Sequence, residues 1–430
     1  MSALPSLVDY TEPLVVLPEN TSNFCIACVP ISGSSFGPSS QIQVDLGNRG
    51  FLDPASLLIR YKIVYTCVAG NAIGVCGTPA YTPFLRLETL VNSNTVETIN
   101  NYNSVANMLT NLKLGISEKY GQQSALGYGS NAAAPYSMEN LDGYVNGSVG
   151  IASFTQYLSA PLHGLLSGCE KLVPLFLLNN IRLQLTIDSL ANIQSNLTAA
   201  NLITDFAITN FEVCYNMVDF GAEVERETVA LNPKLRIKSQ SYSTGVQPLA
   251  SGSQGTFNFV YNQRYASVKS AFLNMGGSDP TKSANKLMDS YDITSGAGDY
   301  SLQVGSINYP QKALSTTNNK GGILQELRRA MNSIYDKNNS MSINTLEFAY
   351  LSTSATTVPI PAKFWVGVNL QKLTVPMKAF FTGVSTQSSP ISVIVNTSVA
   401  TAQAHNIMLI LNYDAIIEID TSSKQCMVVC

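Results

Sequence analysis

The sequence predicts an all-β fold, with two tandem antiparallel β-sandwich (jelly-roll) domains that each carry a short mid-domain helix. Segments of alternating apolar and polar residues run through the whole chain, and clusters of Gly, Pro, Asn and Ser separate them. The length of 430 residues exceeds one ordinary sandwich and suits about two domains. A parallel α/β sheet would need helices between most strands, and no repeat of about 40 residues indicates a propeller.

The predicted strands follow from a period of two. Residues two apart on a strand point to the same face, so each alternating segment would bury one face and expose the other. The clearest segments are 56–65, 180–188 and 208–215 in the first half and 256–261, 362–369, 391–395 and 407–419 in the second. Long loops are predicted at 68–83, 120–150, 243–255 and 276–305.

Two segments have helical periodicity. Residues 100–112 place Val105, Met108, Leu109 and Leu112 on one stripe, and residues 321–337 do the same with Leu324, Leu327, Met331 and Ile334. Each helix falls in the middle of its half, which indicates an internal duplication. The short charged patch at 221–227 marks the boundary, so we predict a first domain with an N-terminal arm over 1–225 and a second with a C-terminal tail over 226–430.

Composition limits the classes of function. The chain is 45% hydrophobic and only 12% charged, where a typical soluble domain has roughly 25% charged residues. Such a surface suits a protein that is mostly covered by copies of itself, although a carbohydrate-binding or adhesive β-sandwich protein shows the same bias. The net charge of −3 gives no broad electropositive field, so we predict no sequence-specific nucleic-acid partner.

The sequence contains few residues that could serve acid–base or metal-dependent catalysis. The two histidines, His163 and His405, have no carboxylate nearby in sequence, and we interpret both as structural. Residues 33–37 match the G-x-S-x-G pattern of a nucleophile elbow, but the helix that this motif needs does not follow. The sequence therefore predicts no enzyme, and it assigns no catalytic, cofactor-binding or metal-binding residue.

Two groups of carboxylates could be imagined as a glycosidase pair. They are Glu223, Glu225 and Glu227, and Asp414, Glu418 and Asp420. Alternation along a strand explains them more simply, because residues two apart would share the solvent face.

The cysteines are too sparse for a disulfide scaffold, and reduced thiols are expected. Cys25 and Cys28 could meet Cys426 and Cys430 in a four-thiolate zinc site, and Cys430 could form an intermolecular link; both alternatives stay open. No stretch approaches the roughly 20 apolar residues that span a bilayer, and the first residues lack the pattern of a signal peptide. We therefore expect a soluble or peripheral protein that is not secreted.

Several motifs resemble one family, the double jelly-roll major capsid proteins of the virophage, polinton-like virus and adintovirus group. The segment 159–185, SAPLHGLLSGCEKLVPLFLLNNIRLQL, is similar to the late part of that family's first jelly roll. Upstream, the segment 90–112, with Glu97 and the Asn101-Tyr102-Asn103 turn that enters a helix, is similar to the family's E-x-I-x-x-Y segment. In the second half, similar motifs occur at 264–272, 307–312, 364–370, 382–386 and 411–419.

The resemblance implies a viral structural protein of an icosahedral double-stranded DNA virus, located in the virion and assembled inside the host cell. It implies a hexon-like, pseudo-hexameric homotrimer that tiles the capsid by self-assembly. Its partners would be neighbouring capsomers and the penton and minor capsid proteins, and an internal membrane stays open. Residues 14–17 and 427–429 are candidate arms that contact neighbouring subunits. The chain lacks room for large decorated loops, so we expect a smooth capsomer.

Overall fold

A computed structural model describes most of both predicted halves. The described residues are 21–67, 73–128, 144–145, 153–178, 180–193, 203–277, 288, 290–317, 319–333, 341–343, 348, 363–372, 381–401 and 403–430. The candidate N-terminal arm at 14–17 lies outside them. Among the helices that these residues form, none combines the length and the apolar character needed to cross a membrane.

Strands dominate the first half. They are β1 (Ser22–Cys28), β2 (Ser35–Phe36), β3 (Gln41–Asp45), β4 (Phe51–Leu52), β5 (Leu58–Cys67), β6 (Ile73–Gly74), β7 (Phe84–Val91), β8 (Asn94–Asn100), β9 (Tyr144–Val145), β10 (Ser153–Pro161), β11 (Val173–Pro174), β12 (Ile181–Ile187) and β13 (Ile203–Asp219). The helices of this half are α1 (Tyr102–Lys113), α2 (Ile116–Gly121), α3 (Gln123–Leu126) and α4 (Leu190–Ile193).

Helix α5 (Ala222–Leu231) then leads into the second half. The strands there are β14 (Lys234–Leu249), β15 (Gly255–Tyr261), β16 (Val268–Gly277), β17 (Gly298–Val304), β18 (Ile307–Ser315), β19 (Val366–Asn369), β20 (Ile391–Thr397), β21 (His405–Asp420) and β22 (Cys426–Val429). Helix α6 (Lys320–Ala330) follows β18.

The two halves repeat one strand order. In the first half, one sheet runs β1-β13-β5-β10 and the other β3-β12-β7-β8, all antiparallel. In the second half the corresponding sheets run β14-β21-β16-β19 and β15-β20-β17-β18. In each half, the helix (α1 or α6) follows the hairpin at the end of the second sheet. This is the order of a jelly roll, present twice.

Alternation builds the strands as predicted. In β12, Ile181, Leu183, Leu185 and Ile187 are buried, while the residues between them are half-buried. This places one face of the strand in the core. Within the described residues, no strand pair joins one half to the other. The domain boundary near residue 225 itself stays a prediction.

All four ranges predicted as long loops contain strands or helices: β6 lies in 68–83, and α3 and β9 lie in 120–150. The prediction of a loop at 243–255 was wrong because β14 continues to Leu249, with Gly245 opposite Leu409 and Pro248 opposite Asn406. A proline is tolerated there because β14 is an edge strand. Strand β17 likewise lies inside the range predicted as a loop at 276–305. The ranges 68–83 and 120–150 fall partly outside the described residues.

The mid-domain helices are confirmed with shifted ends. Helix α1 begins at Tyr102, because Asn101 has a left-handed backbone with φ of 47°. Helix α6 ends at Ala330, earlier than predicted. A turn follows it, in which Asn332 has φ of 57°, and the described segment ends at Ser333. The remaining predicted helical residues, 334–337, lie outside the described part of the chain.

Candidate functional site at the junction of the two halves

The residues that the sequence offered for chemistry are dispersed. His163 lies in the first half and His405 starts β21 in the second; burial lowers the pKa of His163 to about 3 and that of His405 to about 4. Both imidazoles are therefore neutral at pH 7. Ser35 lies in the two-residue strand β2, and β3 follows it without an intervening helix.

The cysteine pairs occupy different halves. Cys25 and Cys28 lie on β1, whereas Cys426 begins β22, and all four cysteines at 25, 28, 426 and 430 are free thiols. In the described part of the chain, no group of three or more His, Cys, Asp or Glu side chains is arranged to hold a metal ion. The predicted C-terminal arm is a strand in this structure, because β22 pairs with β21 of its own chain.

The strand interpretation of the carboxylates was wrong in two places. Glu223, Glu225 and Glu227 lie on helix α5, whose sequence AEVERETVAL consists largely of residues compatible with a helix. Asp414 is fully buried instead of facing solvent, and it accepts hydrogen bonds from Ser267 Oγ at 2.7 Å and from the Thr382 amide at 3.2 Å. Glu418 does lie near solvent, paired with Arg236 at 2.8 Å.

The most constrained polar cluster lies instead between the two halves, and helix α1 is its first component. The predicted apolar stripe is buried, but so is the opposite, polar face: every residue from Tyr102 to Leu112 is buried. The polar side chains on α1 are all uncharged until Lys113 in the last turn. A helix buried on all sides must satisfy such groups by hydrogen bonds.

Residues of the second half form some of these hydrogen bonds with α1. Asn107 Nδ2 donates to the Met288 carbonyl at 2.9 Å, and both the amide and the hydroxyl of Ser342 donate to the Asn111 carbonyl, at 3.2 and 3.1 Å. From the first half, Thr78 Oγ1 donates to Asn107 Oδ1 at 2.9 Å. Helix α1 therefore belongs to the core of one half and to the contact surface with the other.

Glu97 on β8 is the second component. Its side chain is buried, and its carboxylate accepts hydrogen bonds from Thr89 Oγ1 at 2.8 Å and from the Leu165 amide at 2.7 Å. A third hydrogen bond comes from Ser241 Oγ on β14 of the second half. Burial raises the pKa of Glu97, and the three hydrogen bonds oppose this rise. One carboxylate thus binds two segments of the first half and one strand of the second.

The loop at 161–168 is the third component. The Tyr102 hydroxyl accepts from the His163 amide at 2.9 Å, the Tyr81 hydroxyl donates to the Pro161 carbonyl at 2.7 Å, and Ser239 Oγ donates to the Leu165 carbonyl. A Cβ atom on Gly168 would lie 2.3 Å from the Gln240 carbonyl oxygen, so only glycine permits this approach of loop to strand.

Strand β14 is the fourth component, and it lies along the first half. The Glu170 amide donates to the Lys238 carbonyl at 3.0 Å, and the two side chains form an ion pair at 3.1 Å. Further along the strand, Thr244 Oγ1 donates to the Asn100 carbonyl at 2.9 Å. The hydrogen bond from Ser241 to the buried Glu97 carboxylate contributes roughly 1.5–3 kcal/mol and a neutral hydrogen bond roughly 0.5–1.5 kcal/mol, so the set opposes relative motion of the halves.

Sequence reasoning found half of this junction. Glu97 and the segment that contains His163 both belong to motifs that resemble the family, and the structure brings these two segments into contact. Ser239 and Ser241 were missed. A signal existed, because the period-two serines at 239, 241 and 243 occupy the inward face of a strand, where apolar residues are expected. Buried serines in that pattern indicate a polar partner opposite.

An open cleft of about 170 Å³ lies beside the junction. Residues from both halves line it, among them Pro54, Leu57, Lys113, Pro161, Leu162 and Tyr242. Most of its exposed lining is polar, with Ser167 and Gln240 among the residues that line it together with Lys113.

Comparison with known proteins identifies the fold. No protein-family model and no curated protein matches the sequence. Among solved structures, the faustovirus major capsid protein matches with a TM-score of 0.65 and 10% identity, over 96% of this chain and 92% of that one. A chain in the cryo-EM structure of the Sputnik virophage matches with a TM-score of 0.61 and 13% identity, over 100% and 92%. The mavirus major capsid protein matches with a TM-score of 0.54 and 10% identity, over 99% of this chain and 93% of that one.

These matches confirm the predicted fold class. The chain has the double jelly-roll fold of these capsid proteins, and the match extends over nearly its whole length.

Proposed function

We propose that this chain is the major capsid protein of an icosahedral double-stranded DNA virus, a structural protein without catalytic activity that is located in the virion. Three copies would assemble into a pseudo-hexameric capsomer, and capsomers would tile the shell with penton and minor capsid proteins at its special positions. The solved structures with this fold support a capsid role, since they are capsid components of viruses.

One observation carries the proposal. The same strand order occurs twice in one chain, and the two copies are joined by a buried polar junction instead of a free linker alone. A rigid pair of similar sandwiches turns a threefold assembly into six similar wall units. A shell tile needs that geometry, because near-sixfold sites then accept chemically identical subunits.

Composition supports the same function. Association into a shell covers large side faces, and charged residues are depleted at the centres of such interfaces. With only 12% charged residues, the chain has few ions to desolvate when copies meet.

The mass of the purified particle tests the proposal. We expect size-exclusion chromatography with light scattering to give three times the mass of the 46.2 kDa chain. A glycan-binding screen should give no specific ligand. A stable monomer that binds a sugar would contradict the proposal and support the carbohydrate-binding or adhesive alternative.

A further inference from the structure

The contact between the two halves has a direction. Inside the chain, β14 of the second half lies on β8, helix α1 and the loop at 161–168 of the first half. Because the strand order repeats, β1 corresponds to β14, β18 to β8 and α6 to α1. The first half therefore has a second strand of the kind that docks, and the second half has a second surface of the kind that receives it. In the described residues, the outer edges of β1 and β18 pair with no further strand.

The residues just after β1 correspond to a buried part of β14. Both strands begin opposite the aspartate that ends the neighbouring long strand, Asp219 of β13 or Asp420 of β21. Counted from that common start, Val29 corresponds to Ser241. Ser241 is fully buried and donates to Glu97 in the junction, whereas Val29 is 65% exposed. One position is thus covered in the second half and uncovered in the first.

The whole segment from β1 onward is apolar as well as exposed. Phe24 is 48% exposed and Ile31 is 55% exposed, and residues 22–32 contain no charged side chain. Proteins normally cover an exposed edge strand of this kind or protect it with charges. This edge has no charges, so we expect another surface to cover it.

Strand β18 corresponds to β8 residue by residue at its start. Val91 and Val304 lie opposite the first residues of β12 and β20, and they also pair with the first residues of β8 and β18. Glu97 and Tyr309 each pair with the residue two positions before these valines, so they correspond to each other. Glu97 is buried, whereas Tyr309 is half-buried and Ile307 beside it is 54% exposed.

The two mid-domain helices show the same contrast. Counted from the first residue of each helix, Asn107 corresponds to Gln325 and Asn111 to Arg329. On α1, the Asn107 side chain and the Asn111 carbonyl form hydrogen bonds with the second half. On α6, Gln325 and Arg329 are both exposed. Helix α6 therefore exposes the face that α1 buries in the junction.

We infer that the contact between the halves is repeated between copies of the chain. The segment 22–31 of one subunit docks on β18 and on the exposed face of α6 of a second subunit, with Val29 against Tyr309 and Ile307. This inference rests on the proposed assembly, because it assigns the surfaces that join the subunits. The occupant is a second copy, since the junction inside the chain shows corresponding surfaces bound to each other.

The change in chemistry fits the change from one chain to two. Ser241 and Glu97 form a hydrogen bond to a buried carboxylate, which would be costly if either surface were left without the other. The halves of one chain are never separated, so they can use such a pair. Separate subunits must remain stable in water before they meet, and exposed apolar side chains such as Val29 and Ile307 are tolerated there.

The docking segment and the receiving surface differ, so the contact is heterologous. The junction inside each chain and the contact between chains would then alternate around a ring. Six halves from three chains close that ring if each contact turns the next half by a sixth of a rotation.

Single charges on the two surfaces test the contact. The variants are Val29→Asp and Ile307→Asp, with Val399→Asp as matched control, because Val399 is 45% exposed in the turn after β20 and outside both surfaces. All three side chains are exposed in the single chain, so each variant should unfold at the wild-type temperature. Mass photometry and light scattering of the full chain measure assembly.

We expect Val29→Asp and Ile307→Asp each to weaken assembly about a hundredfold, because the contact would bury an unpaired carboxylate. The control should assemble as wild type does. Either surface variant assembling with wild-type affinity would overturn the inference and leave the proposed function intact. A wild-type chain that never assembles would instead contradict the proposed function.

Mixing the two variants tests whether these surfaces bind each other. Val29→Asp keeps an intact β18 surface, and Ile307→Asp keeps an intact β1 segment, so one native contact can form between them. The mixture should give dimers that neither variant forms alone, and no closed ring. A mixture that stays monomeric would overturn the pairing of the two surfaces.

Discussion

The two halves share a strand order but use their mid-domain helices differently. Helix α1 is buried on all sides and contacts residues 288 and 342 of the other half. Helix α6 remains amphipathic: only Ile323, Leu327 and Ala330 are buried, and it packs on β16 and β19 of its own half. The two halves repeat the strand order but not the burial of the helix. Helix α1 is part of the junction between the halves, whereas α6 packs on strands of its own half.

The sheets that contain β5 and β16 also differ in how much of their surface is buried. Strand β5 alternates between buried and wetter residues, as a sheet with one wet face does. In β16 every residue except Lys269 is buried, because the other jelly-roll sheet covers one face and α6 lies against the other. Gly367 on β19 allows this closeness, since a Cβ there would lie 2.7 Å from Leu327 Cδ1. Helix α6 thus packs on β16 and β19, whereas in the first half α3 contacts β10 and α4 contacts β13 of the equivalent sheet.

The largest expected effect is on the free energy of unfolding and comes from the buried carboxylate of Glu97 at the junction. The buried carboxylate of Asp414 inside the second half serves as the comparison. Glu97→Ala leaves the Leu165 amide and the Ser241 hydroxyl without acceptor, and it should lower the free energy of unfolding by about 3 kcal/mol in urea titrations. Glu97→Gln keeps an acceptor oxygen and should cost about 1 kcal/mol.

Hydrogen exchange by mass spectrometry locates the damage. Glu97→Ala should increase exchange in residues 161–168 and in β14, whereas Asp414→Ala should increase it in β16 and residues 381–384. Equal exchange patterns for the two variants would contradict a distinct junction.

A pair of glycines sharpens the comparison next. Gly168→Ala places a Cβ 2.3 Å from the Gln240 carbonyl oxygen and should separate loop from strand at the junction. Gly367→Ala pushes α6 from β19 inside the second half. Each should cost about 1–3 kcal/mol of unfolding free energy. With a single specific protease site inserted after Arg226, only Gly168→Ala should make the two cleavage fragments come apart in gel filtration; co-elution of these fragments would count against the junction.

The polar faces of the two helices give a smaller contrast. Asn107→Ala removes hydrogen bonds to Met288 and Thr78 at a buried position, and about 1–2 kcal/mol of stability should be lost. Gln325→Ala on the exposed side of α6 should change stability by less than about 0.5 kcal/mol. Chemical denaturation of both variants measures the difference, and similar values would show that α1 is not buried against the second half.

The smallest effect is a pH dependence at the junction. Because burial raises the pKa of Glu97, the folded protein binds the proton more tightly than the unfolded chain. This contribution to stability is present below the unfolded pKa and is lost as pH rises through the folded one. The stability of wild type relative to Glu97→Gln should therefore fall in urea titrations as the pH rises above the ordinary glutamate pKa. A rise over the same range would contradict the assigned direction.

Local pattern was sufficient for the strands and insufficient for the junction. The alternation of β12 revealed its faces, since one buried face imposes a period of two. The end of β14 was missed because Gly245 and Pro248 indicate a loop locally, while pairing with β21 holds them in a strand. The inward position of Asp414 depends on Ser267 and Thr382, which are distant in sequence.

The candidate site shows the same limit. The motifs around Glu97 and His163 resembled a known family, but nothing local indicates that both meet Ser239 and Ser241 of the other half. The exposed helix at 222–231 was interpreted as a strand segment because its charged residues alternate. Tertiary contacts decided the junction, and they join residues 74 and 144 positions apart.

Electron microscopy of the purified wild-type chain tests the central claim, that two rigidly joined jelly rolls form one tile of a viral shell. Class averages viewed along the threefold axis should show a hexagonal outline with six similar lobes, two from each subunit. A particle with three lobes, or with halves at variable angles, would contradict the claim.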